Sequence, residues 1–439
     1  MNQFYITTLG CKVNQYESDG IATALITKGW TRVDTPGEAD ICIINTCAVT
    51  ARAAVQSRQE IRSIIRSNPE AKVVVTGCHA QTEPELVQEI ENVHFVLGHS
   101  DKFKIAEAII ASNKGLDDLP CPEKPYSSAT LFQGFDPAVT GNKTRAYLKI
   151  QDGCNAFCTY CIVPYARGRS RSMPEKDVIA HLTHLDQKGY KESVITGIHT
   201  GAWGLDLAEK SSFTRLLRTI VETEPIHRVR ISSIEPKELS DEIIELTANH
   251  PIICDHFHIP LQSGDDEILK RMGRPYDTGY FKELVWKIHE AMPFAAMGID
   301  VLQGFPGESE QAFERTHALL AELPISYLHV FPFSPRKGTP AFGYPDKVDS
   351  ETMKRRCAAM RALGLEKRAA FEQKNLERRL EGVIQEHRDR STGMLKAITS
   401  NYLTLLVEGG DEFKRSAVDV TLETIDPDGT LHGRIDPQD

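Results

Sequence analysis

The chain has 439 residues, 41% hydrophobic and 26% charged, enough for two or three domains that each bury a core. Its net charge of −10 gives no global attraction to a polyanion, so contact with nucleic acid would need a local basic face. No apolar run reaches membrane-spanning length and Met1-Asn2-Gln3 leads straight into a strand-like segment, as expected of a cytoplasmic protein with no membrane partner.

Residues 4–9, 41–45 and 72–76 read as strands, and 17–28, 51–67 and 84–90 as amphipathic helices, which predicts a small parallel α/β sheet. Each of these strands runs into a cysteine: Cys11, Cys47 and Cys78. The carboxyl ends of a parallel sheet share one edge, so three sequence-distant thiolates converge there. Gly10 and Gly77 precede two of them, allowing a sharp turn and close approach to a bulky ligand. A cluster with three protein ligands is the expectation; three unrelated core cysteines is the plainer alternative. Cys42, inside a strand, is expected in the core. Residues 112–143 are rich in Pro, Gly, Ser and Asp without periodicity and read as an interdomain linker, with Cys121 a bystander.

From residue 144 six βα units follow, with strands at 145–150, 193–198, 228–234, 256–261, 298–302 and 327–333. Six is fewer than the eight that close a barrel, so a partial, open-sided barrel is expected, with its chemistry at the carboxyl ends of the strands. There the sequence places Gly153-Cys154-Asn155-Ala156-Phe157-Cys158-Thr159-Tyr160-Cys161. Soft thiolates this closely spaced, in a chain with ten cysteines and no secretory signal, suit an iron-sulfur cluster better than disulfides. A zinc knuckle would want a fourth ligand at its usual spacing. Only three ligands are local, so a four-iron cubane would keep one iron free for an exogenous ligand.

The same edge collects Gly197, Ser233, Glu235, Gln262 and the turn 304–307. Glycines there permit close approach of a cofactor, while Ser233 and Gln262 offer neutral hydrogen bonds to ribose or carboxylate. Arg167, Arg169 and Arg171 follow the cysteine loop, and Arg271 and Arg274 end a helix; each group reads either as an RNA-phosphate or carboxylate site or as a solvated basic turn. Cys254-Asp255-His256-Phe257-His258 is expected to face a core or polar lining rather than a metal, and Cys357 to pack within its helix. Short strands at 380–385, 394–399, 402–408, 417–424 and 430–435 predict a small five-stranded β-barrel. Nine Lys/Arg face fourteen Asp/Glu from residue 371 onward, so RNA contact there would need a face carrying Arg388, Arg390, Lys396, Lys414 and Arg415.

C-x3-C-x2-C with Tyr160 before the last cysteine is the signature of radical S-adenosylmethionine (SAM) enzymes, and the whole arrangement resembles the methylthiotransferase family among them. The resemblance covers essentially the full chain: a methylthiotransferase domain over 1–115, a linker over 116–143, a radical-SAM core over 144–371 and a TRAM domain over 372–439. Residues 8–15, 197–204 and 329–340 look like the MtaB type, which acts on N6-threonylcarbamoyladenosine (t6A) beside the tRNA anticodon. Lys12-Val13-Asn14 fits neither the Gln-Met-Asn of the isopentenyladenosine branch nor the Pro-Lys-Asn of the ribosomal-protein branch. His79 departs from the aromatic expected after Cys78.

The resemblance implies two 4Fe-4S clusters, one on Cys11, Cys47 and Cys78 and one on Cys154, Cys158 and Cys161. It further implies SAM binding by Tyr160, Gly197, Ser233, Glu235 and Gln262, and substrate binding by Arg167, Arg169, Arg271 and Arg274. One SAM would methylate sulfur at the first cluster; a second, cleaved at the other, would give a radical that takes hydrogen from C2 of the adenine. The implied partners are a tRNA anticodon stem-loop carrying t6A, a sulfur donor and a low-potential electron donor such as flavodoxin or ferredoxin. The alternatives are a sister activity on isopentenyladenosine tRNA or a ribosomal-protein aspartate, and a non-catalytic iron-sulfur or zinc module that binds RNA. Nucleoside analysis and SAM cleavage separate them.

Overall fold

The computed structural model of the protein describes residues 2–111, 122, 131–136 and 144–437. Its first sheet is parallel, in the order β2-β1-β3-β4-β5, from β1 (Gln3–Thr8), β2 (Thr31–Arg32), β3 (Ile41–Thr46), β4 (Lys72–Gly77) and β5 (Phe95–Val96). Helices α1 (Lys12–Thr27), α2 (Ala51–Ser67), α3 (Cys78–Thr82), α4 (Pro84–Gln88) and α5 (Ile105–Ala111) connect the strands or follow them. Alternating side chains feed one core around Phe4, Ile6, Ile43 and Val74 and another around Cys42, Ile44, Val73 and Val75, as both faces of a covered parallel sheet require.

The first helix starts five residues earlier than its periodicity predicts, at Lys12, with Cys11 as its N-cap. Asn14, Glu17, Ser18 and Asp19 are buried there, and these polar residues interrupt the apolar stripe that marks a helix in sequence. Asn14 Nδ2 donates to the carbonyls of Leu9 (2.8 Å) and Thr46 (3.1 Å), tying the helix start to the ends of two strands.

All six predicted strands of the second unit form. After β6 (Arg145–Lys149) and a hairpin of β7 (Gln151–Asp152) and β8 (Arg171–Ser172) come β9 (Glu192–Thr196), β10 (Arg228–Ile231), β11 (His256–Gln262), β12 (Ala296–Gln303) and β13 (Tyr327–Pro332). The parallel groups β10-β9-β6 and β11-β12-β13 are joined by bridges from Val229 to Ile253 and from Ser233 to His258. The result is one curved sheet with β6 and β13 at its free edges. Between the strands run α6 (Val163–Arg167), α7 (Glu175–Gln187), α8 (Phe213–Thr223), α9 (Asp241–Asn249), α10 (Asp266–Met272), α11 (Thr278–Ala291) and α12 (Glu310–Glu322), and α13 (Ser350–Lys374) follows β13. Cys357 is buried in α13, as expected.

The first sheet bridges the open side. Its α1 packs on β6, while Ala51 N donates to Ser334 Oγ (2.8 Å) and Arg336 pairs with Glu83 (3.5 Å) just beyond β13. Of the stretch expected as a linker, Pro122 and 131–136 are described and Cys121 lies outside the described residues. Phe135 is packed rather than a free spacer: its ring lies against Tyr16 and Phe103, and Tyr16 Oη donates to its carbonyl (2.6 Å).

The last strands, β14 (Arg379–Ile384), β15 (Leu395–Thr399), β16 (Thr404–Val407), β17 (Ala417–Ile425) and β18 (Leu431–Ile435), close a barrel in the order β14-β15-β16-β18-β17. It docks at the amino ends of the parallel strands, opposite the cysteine edge. Arg228 Nη2 donates to the Ile398 carbonyl (2.8 Å), and Arg230 donates to the carbonyls of Ser400 (2.7 Å) and Thr399 (2.9 Å).

Candidate active site

The loop from Cys154 to Cys161 is shaped by its neighbours. Gly153 has φ +73°, and a Cβ there would lie 2.0 Å from the Arg169 carbonyl oxygen, so only glycine fits. Cys154 N donates to Gly168 O (3.0 Å), Thr159 N to Met272 O (3.0 Å) and Cys161 N to Cys158 O (2.9 Å). Burial pushes the Cys161 thiol up to about 12 and raises Cys158 too, so these sulfurs stay protonated until a cation takes the place of the proton. His199 Nδ1 lies 3.4 Å from Cys154 Sγ with Nε2 on Glu238 (2.6 Å), and Arg274 Nη1 lies 3.3 Å from Cys158 Sγ.

Gly197, Ser233, Glu235 and Gln262 all follow or end strands on this edge. Gln262 has φ +71°, a left-handed conformation that a non-glycine residue holds only where its surroundings impose it. Glu235 is ion-paired with Arg274, and burial raises its pKa against that cation. The Tyr160 ring packs edge-on against Phe305, 6.4 Å between centroids.

The arginines expected at RNA divide. Arg169 is exposed, and Arg271 is half-buried with its guanidinium 5.8 Å from the Tyr344 ring. Arg274 is buried and serves Glu235 and Cys158, which corrects its assignment as an RNA contact. Arg167 requires the larger correction: it is 1% exposed and turned inward. Its guanidinium donates to Glu17 (3.0 and 3.1 Å), Asp152 (2.9 Å) and Asn14 (2.6 Å), so no face is left for a phosphate. Lys102 (2.5 Å) and Lys149 (3.2 Å) complete this buried network on Glu17. Burial opposes the charge on Glu17, yet Arg167, Lys102 and Lys149 hold its carboxyl well below the usual range.

The second trio lies across α6 from the first. Cys11 caps α1, Cys47 follows β3 and Cys78 opens α3 directly after β4. A Cβ on Gly10 would come within 3.0 Å of Cys47 Sγ, and one on Gly77 within 2.3 Å of the Thr46 carbonyl oxygen. Burial pushes Cys47 up to about 11, with Cys78 adding to it, and raises Cys78. Cys78 packs with Ala48 and with Ala166 of α6, the helix that begins two residues after Cys161. Soft thiolate donors in threes are the set a polynuclear iron-sulfur cluster takes.

Sequence reasoning missed the barrel lumen as a polar chamber. Arg145, Arg228 and Arg230 share the buried carboxylate of Glu192, at 3.3, 2.7 and 2.9 Å. His256 meets the Tyr327 hydroxyl (2.8 Å), and Asp300 Oδ1 meets both His258 Nε2 (2.7 Å) and His329 Nδ1 (3.3 Å). The available signal was the recurrence of charged residues at alternate strand positions, as in Arg228 and Arg230. The lining read for His256 and His258 is present.

Residues 3–98 match the uncharacterized protein family UPF0004 and residues 148–320 the radical SAM superfamily. Threonylcarbamoyladenosine tRNA methylthiotransferase MtaB of Bacillus subtilis (strain 168) is 38% identical over 94% of this chain and 92% of its own length. The protein of the same name from Aquifex aeolicus (strain VF5) is 36% identical, over 92% and 96%. A tRNA-2-methylthio-N(6)-dimethylallyladenosine synthase of Dictyoglomus thermophilum is 35% identical over 94% of each chain. Among solved structures, the radical SAM methyltransferase TsrM of Kitasatospora setae has a TM-score of 0.55 at 19% identity, covering 78% of this chain and 77% of that one, a likeness of fold alone. Identity at this level along nearly the whole of both sequences settles the family: the chain belongs to the radical-SAM methylthiotransferases, enzymes that transfer sulfur and methyl groups.

Proposed function

We propose that this protein methylthiolates C2 of t6A beside the anticodon of a tRNA, with SAM as both methyl donor and radical source. The observation that carries the reading is the common wall: α6 starts just after Cys161 and packs by Ala166 on Cys78, so two thiol trios flank one short helix. Cys154, Cys158 and Cys161 would hold the SAM-cleaving 4Fe-4S cluster, and Cys11, Cys47 and Cys78 a second. When bound, these groups supply the one-electron and sulfur chemistry that no side chain has. The remaining work belongs to the chain.

Gly197, Ser233, Gln262 and Tyr160 would seat SAM along the strand ends, with Glu235 positioned by Arg274. The buried pairing of Arg167 with Glu17 fixes the first domain against the second, so the trios keep their separation while substrate enters from the side. RNA would follow a cavity of about 570 Å³ between α13, β13 and the last barrel, a TRAM domain by resemblance, where Arg361, Arg368, Leu365 and Tyr402 line the wall. An external sulfur source and a low-potential donor such as flavodoxin or ferredoxin, all in the cytoplasm, complete the reading. The named relatives from Bacillus and Aquifex support the t6A substrate.

The test is iron content and product together. Reconstituted protein should hold about eight irons, falling to about four in Cys154→Ala/Cys158→Ala/Cys161→Ala. It should convert t6A-bearing RNA to the 2-methylthio product by nucleoside mass spectrometry. Conversion of dimethylallyl-adenosine RNA with t6A RNA untouched would overturn the substrate.

A further inference from the structure

The lumen contains a cation without a partner. Lys12 opens α1 beside Cys11, α1 packs on β6, the strand that Arg145 begins, and the Lys12 ammonium feels Arg145, Arg230 and Asp300 across the partial barrel. Among the described residues it makes no hydrogen bond and no ion pair. Asp300 attracts it, but less than Arg145 and Arg230 repel it, so the surroundings of the ammonium are net positive. Arg145 is lightly held: it makes one 3.3 Å contact to Glu192, a carboxylate it shares with Arg228 and Arg230, and its guanidinium lies 5.9 Å from the Tyr402 ring centroid. A chamber with an ammonium that makes no ion pair and a lightly held guanidinium, in net positive surroundings, suits an anion.

The place is right for the far end of a modified base. The cavity of about 570 Å³ is lined by Arg145, Tyr327, His329 and Tyr402, so a ligand entering the open side reaches these groups. His258 lies four residues before Gln262 on β11, about 13 Å below the cysteine edge at 3.3 Å per residue. A purine presenting C2 at that edge would send an extended N6 arm down toward this level. The arm of t6A ends in a carboxylate; a dimethylallyl arm has none.

We propose that Lys12, assisted by Arg145, receives the threonyl carboxylate and selects t6A over adenosines with a hydrocarbon arm. The inference rests on the t6A reading. An apolar arm would leave the ammonium unpaired, which costs about 10- to 100-fold in binding.

The experiment compares full-length wild type and Lys12→Met on an anticodon stem-loop carrying t6A and on the same RNA with the t6A carboxylate as its methyl ester. Equilibrium binding and 2-methylthio product are both read, with iron content as the folding control. Wild type should favour the acid over the ester by about 10- to 100-fold, and Lys12→Met should bind both as weakly as wild type binds the ester. The two losses should not multiply. Acid-over-ester preference retained in Lys12→Met, or losses that multiply, would overturn the assignment. If Lys12→Met fails to take up iron, Arg145→Gln, remote from the cysteines, carries the same comparison: a smaller preference supports the cradle and an unchanged one overturns it. A wild type inactive on the t6A loop but active on a dimethylallyl loop would instead defeat the t6A reading itself.

Discussion

Glu17 meets Lys102, Lys149 and Arg167 in one buried site, with Asp152 alongside on Lys149 and Arg167. Glu17→Gln removes the carboxylate and leaves cations buried without compensation, so it should destabilise the protein by about 3–5 kcal/mol, seen as a lower urea midpoint. The sign with pH follows from the depressed carboxyl. Its contribution is complete above the unfolded value of about 4.3 and is lost as pH falls through the lower folded value. Urea melts of wild type at descending pH should therefore steepen in their loss below about pH 4, and the Glu17→Gln series should be flatter there. Arg167→Lys keeps the charge but loses the fork that joins Glu17, Asn14 and Asp152. It should lower stability while leaving the salt dependence of RNA binding as it was, the reverse of what a phosphate contact would show.

At the level of strands and helices, the turn after β4 is the tightest constraint on the second trio. Gly77 has φ +97°, and an added methyl would meet the Thr46 backbone, so Gly77→Ala should part β3 from β4 where Cys47 and Cys78 lie. If the second trio holds the proposed cluster, iron should fall from about eight to about four per chain, with SAM cleavage in the absence of RNA retained. The cysteine placement behind this prediction was legible from sequence, because short, nearly continuous apolar runs ending in Gly-Cys or Thr-Cys mark the ends of buried parallel strands. So were all six barrel strands and the five of the last domain. The start of α1 was not, since Lys12, Asn14 and Gln15 break the apolar stripe ahead of residue 17. Nor was the fate of Arg167: a basic run after a cluster loop looks the same whether it meets phosphate or a carboxylate 150 residues away. Phe132 and Phe135 likewise gave no periodicity by which their packing could be foreseen.

Across the whole molecule, charge is distributed against the last barrel as the chief RNA surface. Arg388 and Lys414 are paired with Asp411, Lys396 with Asp389, and Arg415 covers the Tyr190 ring. The cavity beside α13 instead exposes Arg361, and also Arg368, which keeps its guanidinium largely in solvent while one nitrogen meets Glu372 (2.7 Å). Replacing both with Gln should reduce the slope of log affinity against log salt by about 1.5 to 2, while Arg388→Gln with Lys396→Gln should leave it unchanged. The bonds from Arg228 and Arg230 to the 398–400 backbone then take on a different meaning. They make the carboxyl-terminal barrel a stopper in the floor of a reaction chamber. Without it the chamber becomes a tunnel open to water at its lower end, and a radical generated at the top would be spent on whatever diffused through. What is lost on truncation is then coupling before affinity: SAM consumed, and no base modified to show for it.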